Sequence, residues 1–124
     1  QRGVILSGVS AGAICWFDGG VTDSSEGSLQ PLPCLGVLPG SCCPHYSKDP
    51  ERRPAFTAMV QNGELGEGIA IDDGCAAHYV DGRLSRIVSA VPDAAAYRVR
   101  RVGDSVVEEP FEGIDLVSVL DLKA

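Results

Sequence analysis

The sequence predicts an α/β fold whose second half turns to antiparallel β, and three observations predict it. First, the apolar run Val4-Ile5-Leu6 passes through Gly8-Val9-Ser10-Ala11-Gly12 into Ala13-Ile14-Cys15-Trp16-Phe17. That pattern is a strand, a sharp turn and a helix. Second, a helix whose start is bracketed by Pro50 and Pro54 stands between two apolar extended segments. Third, Asp81-Gly82 and Gly103-Asp104 each sit between runs of strand-forming residues, which is the signature of hairpins.

Taken in order, residues 3–7 read as a buried strand and 11–17 as a short helix. Residues 18–34, rich in Gly, Ser, Asp and Pro, read as loop, with Val21-Thr22-Asp23 as a short extended piece. Gly36-Val37-Leu38-Pro39-Gly40 returns the chain toward the core, and Ser41-Cys42-Cys43 is extended up to Pro44. The helix that follows runs to about Val60 and closes on Asn62-Gly63, since glycine accepts the left-handed conformation that ends a helix. Gly68-Ile69-Ala70-Ile71 is a strand stopped by the turn Asp72-Asp73-Gly74. Hairpins over 76–80 with 84–91, and 97–102 with 105–109, lead to a last strand over 114–120.

The chain has 124 residues, 44% of them hydrophobic, which suits one modest domain with a real core. Its net charge of −7 supplies no basic field for phosphate, so nucleic acid and anionic membrane are not expected partners. Arg98, Arg100 and Arg101 alternate along a strand and read as solvated surface. No apolar run reaches the ~20 residues that span a bilayer, and no signal peptide is visible. Five cysteines, Cys15, Cys34, Cys42, Cys43 and Cys75, show no Cys-x-x-Cys spacing and no paired His/Cys pattern for zinc. They read as reduced, mostly buried thiols of a cytoplasmic protein without a metal or cofactor. The chain starts at Gln1 and a strand begins almost at once, so the expectation is the C-terminal portion of a longer fold.

Chemistry concentrates at Ser10. A serine held at the corner of a strand–helix turn has its hydroxyl clear of the sheet, and the helix start offers free N–H groups to an oxyanion. Such a nucleophile needs a base, and the base an orienting acid. His45, beyond an extended segment and next to Tyr46, is favoured as that base. His78, inside a strand, reads as a satisfied structural histidine. Asp72 and Asp73 end a strand and either can orient an imidazole, the other being a turn former. The order Ser, His, Asp departs from the Ser, Asp, His of α/β-hydrolases.

Leu6-Ser7-Gly8-Val9-Ser10-Ala11-Gly12-Ala13 resembles the Ser-Ala-Gly-Ala elbow of the peptidase E (serine aspartyl dipeptidase) family, to which the cyanophycinases are related. Cys43-Pro44-His45-Tyr46 is similar to its Pro-His-aromatic segment, and Ile71-Asp72-Asp73-Gly74 to its acid-Gly segment. The resemblance implies part of a flavodoxin-like, class I glutamine amidotransferase-like sheet and hydrolysis of a small peptide through an acyl-enzyme. Ser10 would be nucleophile, His45 base and Asp73 acid, with Ala11 N–H in the oxyanion hole. The choice of Asp73 over Asp72 rests on the resemblance alone. Arg52 and Arg53 fall where members that remove N-terminal aspartate hold the substrate carboxylate, and a guanidinium fork suits that task. Family proteins carry α/β structure before the elbow, including a Gly-rich loop that gives a second oxyanion N–H. Its lack here leaves a sheet edge open to a second copy or to a missing N-terminal segment. A catalytically silent homologue serving as a binding or assembly module, and a cyanophycinase-like hydrolase, are the other readings.

Overall fold

A computed structural model describes residues 3–23 and 28–117. The fold is α/β, built on a mixed sheet of the flavodoxin-like kind. Its elements are α1 (Ala11–Ile14), β1 (Phe17–Thr22), β2 (Gln30–Pro33), β3 (Leu38–Cys43), α2 (Arg52–Gln61), β4 (Gly68–Ile71), β5 (Cys75–Val80), β6 (Arg83–Ser89), β7 (Ala96–Val102), β8 (Ser105–Pro110) and β9 (Asp115–Leu116). Six strands form one sheet in the order β2-β1-β3-β4-β7-β8, and β5-β6-β9 form a smaller one. β1, β3 and β4 run parallel, while β2, β7 and β8 join antiparallel.

The large sheet is covered on both faces. Val21, Cys43, Tyr46, Ala70 and Val99 pack with Phe56, Met59 and Val60 of α2 on one side. Phe17, Cys42, Ile69 and Ala96 pack with Ile87 of the small sheet on the other. Strand alternation makes this division, since successive side chains leave a strand on opposite faces. Cys42 and Cys43 therefore belong to different cores, and all five cysteines are free. Burial raises the Cys43 thiol to about 12, so it stays protonated.

Local chemistry explains the borders. Pro54 lies in the first turn of α2, where its missing N–H leaves no helical bond unmade. Gly63, with φ +78°, ends that helix, and the N–H of Glu64 closes on Met59 O at 2.9 Å. Asp81 and Gly82 both have positive φ, which gives the β5–β6 hairpin its primed turn. Gly20 lets α1 settle on the sheet, because a Cβ there would stand 2.2 Å from Ile14 Cγ2.

Several expectations are corrected. Residues 3–7 form no strand, and Val4 and Ile5 are 74% and 88% exposed. A strand needs a neighbour, and both edges of β1 are already taken, by β2 and β3. The helix predicted over 11–17 is one turn, ending at Ile14, because Phe17 already belongs to β1. The segment read as loop over 18–34 holds most of β1 and all of β2, their Gly- and Pro-rich sequences masking a pairing made by long-range contacts. The second half is antiparallel as expected: β7 and β8 extend the large sheet beyond β4, and β5–β6 cover its face. The last strand is Asp115–Leu116, paired parallel to β6; positions 118–120 of the predicted run lie outside the described residues.

Phe56 is fully buried at the centre of the α2 layer. Phe56→Ala is expected to lower stability by about 3–5 kcal/mol in chemical denaturation, through lost burial and the cavity left behind.

Candidate active site

Two parallel strands bring the candidate residues together. Cys43 of β3 is level with Ala70 of β4, so the carboxyl ends of both strands open at the same edge of the sheet. His45 lies just past β3 and Asp73 just past β4. The two connections are stitched to each other: Tyr46 N–H donates to Ile71 O at 3.2 Å, and Ser47 N–H donates to Asp72 Oδ1 at 3.1 Å. Asp72 Oδ2 accepts from Ala95 N–H at 3.0 Å. Asp72 is thus occupied by backbone on both oxygens, and Asp73 is the carboxylate that meets His45, Oδ1 lying 2.5 Å from Nδ1. The two neighbours, alike in sequence, are separated by geometry.

Ser10 enters from the α1 side. Its φ of 56° and ψ of −118° fall in a sparsely populated region that costs about 1–3 kcal/mol for a residue other than glycine. The turn is held by Gly12 N–H on Val9 O (2.9 Å), Ala13 N–H on Ser10 O (2.9 Å), and the burial of Ile14 against Gly20. Trp16 Nε1 also donates to Ser7 O at 3.3 Å. Gly8 is required by this geometry, since a Cβ there would sit 1.9 Å from Gly12 O. Gly12, expected to be equally required, faces open space. Ser10 Oγ lies 2.9 Å from His45 Nε2.

Asp73 is held below the usual carboxylate range, chiefly by its hydrogen bond from His45 and then by the charges of His45 and Lys48. It is therefore ionised at neutral pH and can only accept, so His45 Nδ1 carries the proton of that bond. Nε2 then presents its lone pair to the Ser10 hydroxyl. Lys48 Nζ stands 3.5 Å from Asp73 Oδ2 with its side chain 77% exposed. His45 itself has φ of 56°, a second strained backbone position at the site.

Arg52 and Arg53 of α2 reach the two neighbours of His45, Pro44 and Tyr46. Arg52 is 4% exposed, and its Nη1 donates to Val21 O (3.5 Å) and Pro44 O (3.4 Å) while Nη2 pairs with Asp23 (3.4 Å). Its Nε has Asp49 Oδ2 at 3.5 Å, too poorly aligned for a hydrogen bond. Arg53 pairs with Glu108 at 3.3 Å and lies over the rings of Tyr46 and Tyr97. His78 lies on β5, as its strand context predicts, with its side chain exposed. Arg98 and Arg100 pair with Glu67 and Glu109 at the surface. Lys48 was legible as the third residue after His45, but nothing local in the sequence ties Glu108 to this region. Among the described residues no group of three or more His, Cys, Asp or Glu is gathered to hold a metal ion, and no helix is long and apolar enough to cross a membrane.

A family model described as Peptidase family S51 matches residues 1–87. Among curated proteins the chain is similar to the "Uncharacterized peptidase YgaJ" of Bacillus subtilis (strain 168), 46% identical over 111 residues, which cover 90% of this chain and 48% of that protein. The chain thus spans about half the length of the curated relative it matches. No solved structure matches.

With its guanidinium buried against Pro44 O and two aspartates, Arg52 acts as a strut behind His45. Arg52→Met is expected to lower stability by about 1–3 kcal/mol in thermal or chemical denaturation, the cost of leaving the buried Val21 and Pro44 carbonyls without their donor. A normal stability combined with a raised KM would instead mark it as a substrate ligand.

Proposed function

The chain belongs to peptidase family S51, and from that membership we propose that it carries the nucleophile, base and acid of a serine peptidase acting on small peptides. The observation that supports this most is the relay itself, Ser10 Oγ to His45 Nε2 at 2.9 Å and His45 Nδ1 to Asp73 Oδ1 at 2.5 Å. Ser10 Oγ attacks the scissile carbonyl carbon while its proton passes to His45 Nε2. Asp73 stabilises the resulting imidazolium and fixes its tautomer. The oxyanion meets Ala11 N–H, which as the first helical N–H has no partner within α1. His45 then gives the proton to the leaving amine, the C–N bond breaks, and an acyl-Ser10 ester remains. Water, deprotonated by His45, attacks that ester and returns Ser10 to its hydroxyl.

Substrate preference has thinner support. Arg52 is enclosed and Arg53 faces Glu108, so a clamp on an N-terminal aspartate would need Arg53 to leave its own carboxylate. The exposed Val4 and Ile5 favour a second reading, in which the chain binds or assembles without turnover, with the apolar segment meeting a second copy or an N-terminal stretch of the same protein.

A panel of Asp-Xaa dipeptides, neutral dipeptides and Asp-Arg polymer, followed by mass spectrometry of products, separates these readings. Cleavage is expected for at least one dipeptide class, and Ser10→Ala should lower it on the order of 10⁴-fold or more with the fold intact. Cleavage of the polymer alone favours the cyanophycinase-like reading. Turnover that survives Ser10→Ala, or no turnover in a folded chain, contradicts the serine peptidase.

A further inference from the structure

We propose that Glu108, on strand β8, is a positioning residue for His45 and acts through Tyr46; the proposal rests on the serine peptidase reading, in which His45 is the base. His45 and Tyr46 are consecutive, and His45 is in the left-handed region with φ 56°. A backbone in that region returns to a commoner conformation unless its neighbours prevent it. On one side the residue follows the buried end of β3. On the other His45 O accepts from Asp49 N–H at 3.3 Å, Ser47 N–H is held by Asp72, and Tyr46, 1% exposed, is held from several directions.

Its ring meets Phe56 edge-on at 6.3 Å between centroids and Tyr97 at 5.5 Å. Its N–H donates to Ile71 O, and its hydroxyl donates to Glu108 Oε2 at 2.6 Å. The same oxygen receives Arg53 Nε at 3.3 Å, and the Arg53 guanidinium lies 4.8 Å from the Tyr46 ring centre. The rings pack against the Tyr46 side chain and the Ile71 bond holds its backbone. Glu108 and Arg53 hold the hydroxyl end, because a hydroxyl anchored to a charged acceptor fixes the far end of the ring. Burial first, and then the hydrogen bond to Glu108, raise the Tyr46 phenol, so it remains a donor at neutral pH.

Glu108 is 62 residues from Tyr46 and beyond the residues 1–87 that the family model matches. The register Val99↔Glu108 sets it on the strand paired with β7, and β7 is itself paired with β4, whose end carries Asp73. The β7–β8 hairpin thus bears on the base as well as on the core. A carboxylate that merely stabilised the core would leave His45 where it is when removed.

The experiment uses the full chain with His78→Gln, so that His45 is the sole imidazole. The low-field proton resonance of His45 Nδ1–H, donated to Asp73, is recorded beside peptide turnover for Glu108→Ala, Tyr46→Phe and Glu108→Gln. Both Glu108→Ala and Tyr46→Phe are expected to lose or broaden the resonance. Both should lower kcat about ten- to hundredfold with little change in KM, as displacement of a reacting group does. Glu108→Gln keeps an acceptor oxygen for Tyr46 and is expected to recover much of both signals. The proposal is overturned if the resonance and kcat stay within about twofold of the parent in folded Glu108→Ala, or in the shape-conserving Tyr46→Phe should Glu108→Ala fail to fold. If the parent turns over no peptide, the peptidase reading fails separately. The resonance still decides the positioning: loss in Glu108→Ala with recovery in Glu108→Gln upholds it, and persistence overturns it.

Discussion

Parallel pairing of β3 with β4 is the constraint on which the site depends. The level of Cys43 with Ala70 fixes where each strand releases the chain, and two residues later the imidazole and the carboxylate are within hydrogen-bond reach. Parallel strands need a crossover, and α2 supplies it while covering one face with Phe56, Met59 and Val60. The same helix sends Arg52 back to Pro44 O and Arg53 to the Tyr46 ring, on either side of His45. Core and site therefore share their parts: the layer that makes the sheet stable also supports the histidine.

Two residues at this edge, Ser10 and His45, hold positive φ without being glycine. Strained backbone persists where its surroundings leave no alternative. For Ser10 those surroundings are short-range: the turn bonds to Val9 O and Ser10 O, and the clash a side chain at position 8 would make. For His45 one is short-range, the Asp49 N–H on His45 O, and the others come from β4, α2 and β8. The elbow is accordingly a local feature of a few residues, whereas the histidine's conformation belongs to the tertiary structure.

That difference explains what the sequence made legible. The elbow, the helix closing at Asn62-Gly63, the strand over 68–71 and both hairpins are written in local signals, and the structure has them near their expected positions. Three short motifs in order point to Ser10, His45 and Asp73, with Asp73 preferred to Asp72 by resemblance alone; the physical difference between the two aspartates is the Ser47 and Ala95 N–H groups that occupy Asp72. Residues 3–7 were misread because apolar composition speaks for a strand but not for a partner. β2 was missed for the opposite reason: Gln30-Pro31-Leu32-Pro33 looks like loop, and pairing with Gly19–Thr22 makes it an edge strand, where proline is tolerated. Arg52 and Arg53 carried no local sign of their partners, which lie on β1, the loop after β3, and β8.

In the proposed mechanism His45 activates Ser10. A fluorophosphonate probe, which reacts with an activated serine hydroxyl and not with an ordinary one, followed by mass spectrometry of the digested protein, tests it most directly. A single adduct on Ser10 that vanishes in His45→Ala is expected. A folded chain with no adduct on Ser10, or one whose labelling is unchanged in His45→Ala, would contradict it.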